Sequence, residues 1–269
     1  MQSALDTRQI AINRVGIRAM RHPIKMRSMD GSGVATVALV DMAVGLAAIQ
    51  KGTHMSRFVE LMHSHGNEID TQSFADLFER MLSKLEASTG LLSLKFPYFY
   101  SKHAPVSGAA SLMDVDVVLT REKKQADSAV EYTIEVAVPV TSLCPCSKEI
   151  SDYGAHNQRS TVVIRVLVAA PLPVLELIQI AERAASCELF GILKRPDEKW
   201  VTERAYDNPK FVEDLVRDIA VALNAEERIA AYTVSSENFE SIHNHSAYAV
   251  IEHDKRDRAS ALTQASSGR

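Results

Sequence analysis

The chain has 269 residues, of which 46% are apolar and 24% charged, ordinary values for a folded protein that is not embedded in a membrane. The formal net charge of -4 gives no reason to expect nucleic acid or an anionic membrane as the main partner, and no apolar run reaches the roughly 18 residues of a membrane span. Three cysteines are too few for a disulfide scaffold. The first residues lack the apolar core of a signal peptide, so we expect a reduced, cytoplasmic protein.

The first half of the sequence predicts two strands, two helices and two further strands. The strands are predicted over 10–23, 34–46, 91–101 and 111–120. Pro23 is expected to end the first strand, and residues 31–33 are expected to form the turn that follows. A short helix is predicted over 55–63. A longer amphipathic helix is predicted from an N-cap at Thr71 to a stop at Gly90.

The second half repeats this order of elements. Its strands are predicted over 130–140, 161–169, 230–239 and 246–252. One helix is predicted over 174–189 with Cys187 buried inside it, and another after an N-cap at Asn208. The polar stretch 194–208 is expected to be a connection.

The doubled strand-strand-helix-helix-strand-strand order predicts an α+β fold with antiparallel sheets. We expect a flexible arm over 1–9, a first unit over 10–125, a second unit over 126–254 and a disordered tail over 255–269. Each unit would be a four-stranded sheet with two helices on one face. Such a sheet leaves its edges unpaired, and assembly into a barrel would pair them.

A polar loop between two predicted strands holds the most reactive side chains. It contains Cys144, Cys146 and His156 among serines and charged residues. A lone cysteine is most often a small buried residue, but polar surroundings favour a thiolate that binds metal or acts as a nucleophile. The single residue between the cysteines differs from the spacing of structural zinc knuckles, so no zinc finger is predicted.

A second polar cluster, 240–246, lies between the last two predicted strands and contains His243 and His245. A solitary histidine is more often a surface residue than a ligand. In an extended segment, however, alternate side chains point to the same side. Cysteine and histidine ligands with one open position would make a catalytic metal site, although spacing alone does not show that the two clusters meet.

The residue pattern alone does not indicate a nucleotide-binding site. The sequence contains no glycine-rich phosphate loop of the common kinds. Glu213 lies at the edge of an apolar helix stripe, where an i,i+4 ion pair with Arg217 is a sufficient explanation.

Three segments resemble the signature of the type IB GTP cyclohydrolase I family. They are 139–159, with its Cys-Pro-Cys and Gly-Ala-His sequences, 240–248 and 52–58. The resemblance covers nearly the whole chain, from residue 6 to about residue 254. It implies the tunnelling fold, which is built from strand-strand-helix-helix-strand-strand units with two units per chain in this branch.

The resemblance also implies an activity and a metal centre. The implied enzyme is a metal-dependent hydrolase that opens the imidazole ring of GTP, releases formate and forms 7,8-dihydroneopterin triphosphate, the entry to folate synthesis. By position in the motifs, the metal ligands would be Cys144, His156, Glu198 and His243. The cofactor would be one divalent ion per site, and zinc, iron(II) and manganese all suit such ligands. Cys146 would lie beside the metal without binding it.

Further roles follow from the same resemblance. Glu213 would bind the guanine edge through a charge-assisted bidentate contact, which replaces the ion-pair interpretation, and His245 would shuttle protons. The candidate triphosphate-binding residues are Lys51, Arg57 and Arg159. The implied assembly is a homotetramer of two stacked barrels with active sites at subunit boundaries, and GTP is the small-molecule partner.

Two alternatives stay open at this point. A related tunnelling-fold enzyme, the NADPH-dependent nitrile reductase of deazapurine synthesis, would use Cys144 as a covalent nucleophile, although the histidine-rich second cluster favours a metal. A non-catalytic module would instead bind metal in a closed site. Its ligands would be Cys144, Cys146, His156 and His243. The sequence does not distinguish the linear triphosphate product from a cyclic phosphate.

Overall fold

A computed structural model describes residues 5–27 and 33–256. The predicted turn at 31–33 falls largely outside these ranges, as do the start of the predicted arm and nearly all of the predicted tail. Within them the protein is α+β with a large antiparallel sheet. The strands are β1 (Ile12–Arg27), β2 (Gly33–Leu46), β3 (Glu68–Ile69), β4 (Gly90–His103), β5 (Ala110–Lys123), β6 (Glu131–Leu143), β7 (Asn157–Val168), β8 (Cys187–Glu188), β9 (Ile229–Asn238) and β10 (Ala247–Asp254). The helices are α1 (Met55–His65), α2 (Thr71–Lys84), α3 (Pro145–Ile150), α4 (Val174–Ala184), α5 (Arg195–Asp207) and α6 (Val212–Ala225).

The chain divides into two compact units, each made of two segments. The first unit contains 1–98 and 117–133, and the second contains 99–116 and 134–269. Strands β4, β5 and β6 contribute residues to both units. The predicted division of the chain into two consecutive units at residue 125 stays a prediction. No helix in the described ranges is long and apolar enough to cross a membrane.

In the first unit the strand order is β4-β2-β1-β3, with α1 and α2 supplying much of the core. Pro23 does not end β1, contrary to the prediction, because β1 continues to Arg27 and Pro23 pairs with Val37 of β2. On its other side β1 pairs only through Lys25 and Met26 among the described residues. A proline is tolerated where one side of the strand needs no hydrogen-bond donor.

The predicted ends of the long helix of this unit are also corrected. Asp70, one residue before Thr71, is the N-cap of α2, and its carboxylate accepts from the backbone N–H of Ser73 at 2.8 Å. The short acidic side chain reaches that donor, which satisfies a helix N–H that has no partner in its own helix. At the other end α2 stops at Lys84, and Gly90 begins β4 instead of ending the helix.

In the second unit the strand order is β10-β9-β7-β6, and β8 also pairs with β6. Strands β7 and β9 are antiparallel, with Ser160 opposite Asn238. Alternate strand residues point to the same face, and here the apolar part of the buried row of β7 consists of Val162, Ile164 and Val166. Helices α4 and α6 contribute further buried apolar residues, namely Leu177, Ile178, Leu215, Ile219 and Leu223. The predicted strand and helix types of this region are therefore largely confirmed.

Three predictions for the second unit are wrong in detail. Helix α4 ends at Ala184, so Cys187 is buried in the short strand β8 opposite Thr141 and not in a helix. Residues 195–207, expected to be a connection, form α5. Helix α6 begins after Phe211 instead of Asn208, because the Asp214 carboxylate accepts from the Phe211 backbone N–H at 3.2 Å.

The strands do not close into a barrel within the described part of one chain. Among the described strands, β10 has β9 as its one neighbour, and β3 has β1. The edge of β10 is therefore open, and its outward face carries the exposed side chains of Tyr248 and Val250.

Candidate active site

Cys144 lies at the junction between β6 and the short helix α3. Its backbone is extended, and its sulfur accepts from the Ser147 backbone N–H at 3.5 Å, which makes it the N-cap of the helix. Pro145 fixes the first helical position. The thiol is only partly buried, so its sulfur is accessible to a ligand.

The loop after α3 returns His156 to Cys144. Gly154 has a φ of 120°, a conformation that residues with a side chain rarely adopt, and it allows the chain to turn back. The Cys144 backbone N–H then donates to the His156 carbonyl at 3.1 Å, and the Ser147 hydroxyl accepts from the His156 N–H at 3.2 Å. Two residues that are twelve positions apart in the sequence are thus held side by side.

A line of polar side chains joins this loop to the cluster 240–246. His156 Nδ1 lies 3.1 Å from Gln158 Oε1, and Gln158 Nε2 donates to Glu240 Oε1 at 3.4 Å. The other Glu240 oxygen lies 3.3 Å from His243 Nδ1. The Ser241 hydroxyl also lies 3.2 Å from His156 Nδ1. The structure therefore brings together the two polar clusters that the sequence left apart.

The donor chemistry of these residues suits a divalent transition metal. Gln158 Oε1 and Glu240 Oε2 can only accept, so these two contacts favour the proton on Nδ1 of His156 and His243, which is the tautomer whose Nε2 can bind a metal. Cys144 offers a sulfur ligand beside them. Among the described residues, however, no three His, Cys, Asp or Glu side chains converge closely enough to hold an ion. The set of four metal ligands expected from the sequence therefore stays a prediction.

Glu198 does not join this group in the structure. It lies exposed in the first turn of α5, where its carboxylate is 3.7 Å from Arg195. Its neighbour Asp197 is fully buried and accepts from the backbone N–H groups of Val106, Ser107 and Lys194 and from the Ser107 hydroxyl, at 2.6–2.8 Å. Burial would raise the pKa of Asp197, but these donors outweigh it and hold the pKa well below its usual range. Asp197 therefore fixes the position from which Glu198 projects.

A cavity of 630 Å³ lies in the second unit next to the strand ends that carry the loop. Its size falls within the range of about 300–1,000 Å³ that is usual for small-molecule sites. It is lined by Leu112, Met113, Asp114, Pro139, Thr141, Asn157, Arg159, Cys187, Glu188, Leu189, Phe190, Gly191, Leu193, Val201, Thr202 and Ala205. Among the described residues Arg159 pairs with no carboxylate, so its guanidinium is available to an anionic ligand. Burial raises the pKa of the Cys187 thiol to about 12, so this cysteine is not a nucleophile.

The other predicted site residues lie in three places. His245 stacks on His243, with ring centroids 5.3 Å apart, although residues 241–245 form bends and not the extended segment considered in the sequence analysis. Glu213 is exposed at the start of α6, outside the cavity, and forms no ion pair with Arg217 or any other described residue. Lys51 and Arg57 belong to the first unit. There Arg57 lines a separate cavity of 250 Å³ and donates to the Lys84 carbonyl at 3.2 Å.

Three residues of the site were not predicted as such: Gln158, Glu240 and Ser241. Their amide, carboxylate and hydroxyl groups orient the imidazoles, a role that depends on which strands are neighbours. Their positions in the sequence could have identified two of them. Gln158 is a polar residue in a strand two places from His156, and Glu240 begins the second cluster.

Comparisons with known proteins identify the family of this chain. The model of a family described as type I GTP cyclohydrolase FolE2 matches residues 1–249. The chain is 58% identical over 259 residues to the GTP cyclohydrolase FolE2 of Burkholderia thailandensis, covering 96% of both chains. It is also 58% identical to that of Burkholderia pseudomallei over 256 residues, covering 95% of this chain and 96% of the relative. Among solved structures, urate oxidase from Bacillus subtilis is similar in fold alone, with a TM-score of 0.53 at 10% identity over 91% of this chain and 99% of that one.

Proposed function

The chain belongs to the type I GTP cyclohydrolase FolE2 family, and on that premise we propose how its residues carry out the reaction. The enzyme converts GTP toward dihydroneopterin triphosphate in folate biosynthesis, with loss of C8 of guanine as formate. The observation that supports a catalytic site in the second unit is the hydrogen-bonded line from His156 through Gln158 and Glu240 to His243. This line ties the segment that carries Cys144 and His156 to the segment that carries His243, which together supply the sulfur and imidazole ligands of a hydrolytic metal centre.

Cys144, His156 and His243 would hold one divalent ion, with Glu198 as the fourth ligand after its carboxylate turns from Arg195. When bound, the ion supplies Lewis-acid chemistry and activates water for hydrolysis near neutral pH. His245 is exposed and stacked on His243, and it would receive and return protons. Zinc, iron(II) and manganese each suit this ligand set.

The cavity lined by Arg159 would receive part of the nucleotide. Arg159 would pair with a phosphate group through charge-assisted hydrogen bonds, and Lys51 and Arg57 are proposed for the same role. Glu213 would bind the guanine edge. We place the protein in the cytoplasm, where its three free cysteines would stay reduced.

The activity is tested by incubating the purified full-length protein with GTP and measuring formate and pterin. Dialysis against a chelator is expected to abolish formate release, and a divalent ion is expected to restore it, because hydrolysis needs the activated water. A nitrile reductase would consume NADPH and release no formate. A closed metal module would neither consume NADPH nor release formate. Formate release that persists after complete metal removal would contradict the metal centre.

We further propose that the active enzyme is a homotetramer with sites at subunit boundaries. The open edge of β10, with Tyr248 and Val250 exposed, and the exposed position of Glu213 both support pairing with another chain. Light scattering is expected to give four chain masses. Cys144→Ser and Glu213→Gln proteins refolded together are expected to regain part of the activity that each lacks. A fully active monomer would contradict this assembly.

A further inference from the structure

The core-facing rows of three neighbouring strands become polar where they approach the site. On β6 the buried row Val136, Val138 and Val140 continues with Ser142. On β7 the row Ile164 and Val162 continues with Ser160, and on β9 the row Tyr232 and Val234 continues with Ser236 and Asn238. Ser142, Ser160, Ser236 and Asn238 are all at least 96% buried. Apolar residues would fill these positions at lower cost, because a buried polar group without a partner is destabilising.

Three of these four side chains are bonded to one another across the strands. The Ser160 hydroxyl lies 2.8 Å from the Ser142 hydroxyl and 2.7 Å from Asn238 Oδ1. A hydroxyl has one proton and two lone pairs, so Ser160 can satisfy both neighbours at once. Ser160 is the central member of the group, since it joins β6 on one side to β9 on the other.

Each strand in this group leads directly into one part of the candidate metal centre. Ser142 is two residues before Cys144, Ser160 is four residues after His156, and Asn238 is two residues before Glu240, the partner of His243. The same strand ends are tied by the Cys144–His156 backbone bond and by the Phe239 N–H donating to the Arg159 carbonyl at 3.1 Å. The side-chain group is thus a buried cross-link at the base of the loops that carry the ligands.

We propose that Ser160 is a positioning residue for the metal centre, which it supports by locking the ends of β6, β7 and β9 in register. This inference rests on the proposed function, since it assumes that Cys144, His156 and His243 bind a metal. Removing a group that orients ligands typically lowers metal affinity about 10- to 100-fold. Ser160 is not one of the proposed metal ligands, and its side chain bonds to Ser142 and Asn238, so its effect would pass through the loops.

Ser236 provides a matched control on β9. Its hydroxyl is 99% buried but has no hydrogen-bond partner among the described residues. Ser160→Ala and Ser236→Ala therefore make the same chemical change at equal burial, and only the first breaks the cross-link. Ser142→Ala breaks the cross-link from the β6 side, and Ser160→Thr keeps the hydroxyl.

The test is a titration of each full-length, metal-free protein with cobalt(II), followed through the thiolate-to-cobalt absorption band, with thermal unfolding measured in parallel. We expect Ser160→Ala and Ser142→Ala to bind cobalt about 10- to 100-fold more weakly, and Ser160→Thr and Ser236→Ala to bind close to the wild type. Equal cobalt affinity for Ser160→Ala and Ser236→Ala would overturn the inference. This holds even if Ser160→Ala unfolds at a lower temperature, because a loss of stability alone would show a structural role and not a role in positioning the metal ligands. If Ser160→Ala does not fold, the affinity of Ser142→Ala decides in the same way. A wild-type protein that binds no cobalt would overturn the metal centre and this inference together, whereas a wild type that binds cobalt but releases no formate from GTP would overturn only the activity.

Discussion

Replacing Cys144 with serine is expected to remove the metal and to lower formate release from GTP by more than about 100-fold. Losing a group that only orients a metal ligand already lowers activity by up to about 100-fold, and losing the ligand itself should cost more. A serine hydroxyl is a far weaker ligand than a thiolate for zinc, iron(II) or manganese. The N-cap of α3 would be kept, because serine also accepts from helix N–H donors. The fold should therefore survive, and metal analysis by mass spectrometry together with circular dichroism checks both expectations.

Cys146 provides the matched control for this substitution. It is exposed, one residue beyond Pro145, and is proposed to bind no metal. Cys146→Ser should retain the metal and most of the activity. Full metal occupancy in Cys144→Ser, or loss of the metal in Cys146→Ser, would show that the ligand has been assigned to the wrong cysteine.

Replacing Glu213 with glutamine is expected to lower kcat/KM by about 30- to 1,000-fold, which corresponds to about 2–4 kcal/mol of transition-state stabilisation. The substitution keeps the shape of the side chain but places an NH2 group opposite the N–H donors of guanine. Metal content and thermal stability should not change, because Glu213 is exposed and has no ion pair in the described chain. Steady-state kinetics with GTP measures the effect.

Asp218→Asn is the control on the same helix. Asp218 pairs with Lys210 at 2.5 Å on the surface, and losing such a pair costs about 1 kcal/mol of stability at most. Its kcat/KM should stay near that of the wild type. Near-normal kinetics for Glu213→Gln would show that Glu213 does not bind guanine and is an ordinary surface residue.

Much of the architecture could be predicted from hydrophobic periodicity. Strands such as β6 alternate buried and partly exposed residues over nearly their whole length, and this pattern does not depend on which strands lie next to it. Helix α5 could not be predicted in this way, because it is polar and only a few of its residues, among them Trp200, Val201 and Ala205, pack against Leu143 and Cys187. Its start is fixed by hydrogen bonds from the distant residues Val106 and Ser107 to Asp197.

The sequence by itself determined the family, the reaction class and the two clusters in which the metal-binding chemistry lies, because the motifs are local and the residue types dictate the chemistry. Only the tertiary structure decided that Gln158 and Glu240 join His156 to His243, that Cys187 lies in a strand, and that Ser160 ties three strands together. These facts depend on strand order and register, and contacts between residues 78 to 85 positions apart are not encoded in any local pattern. The chain therefore specifies its chemistry locally, while the geometry that makes the chemistry usable is a property of the assembled sheet.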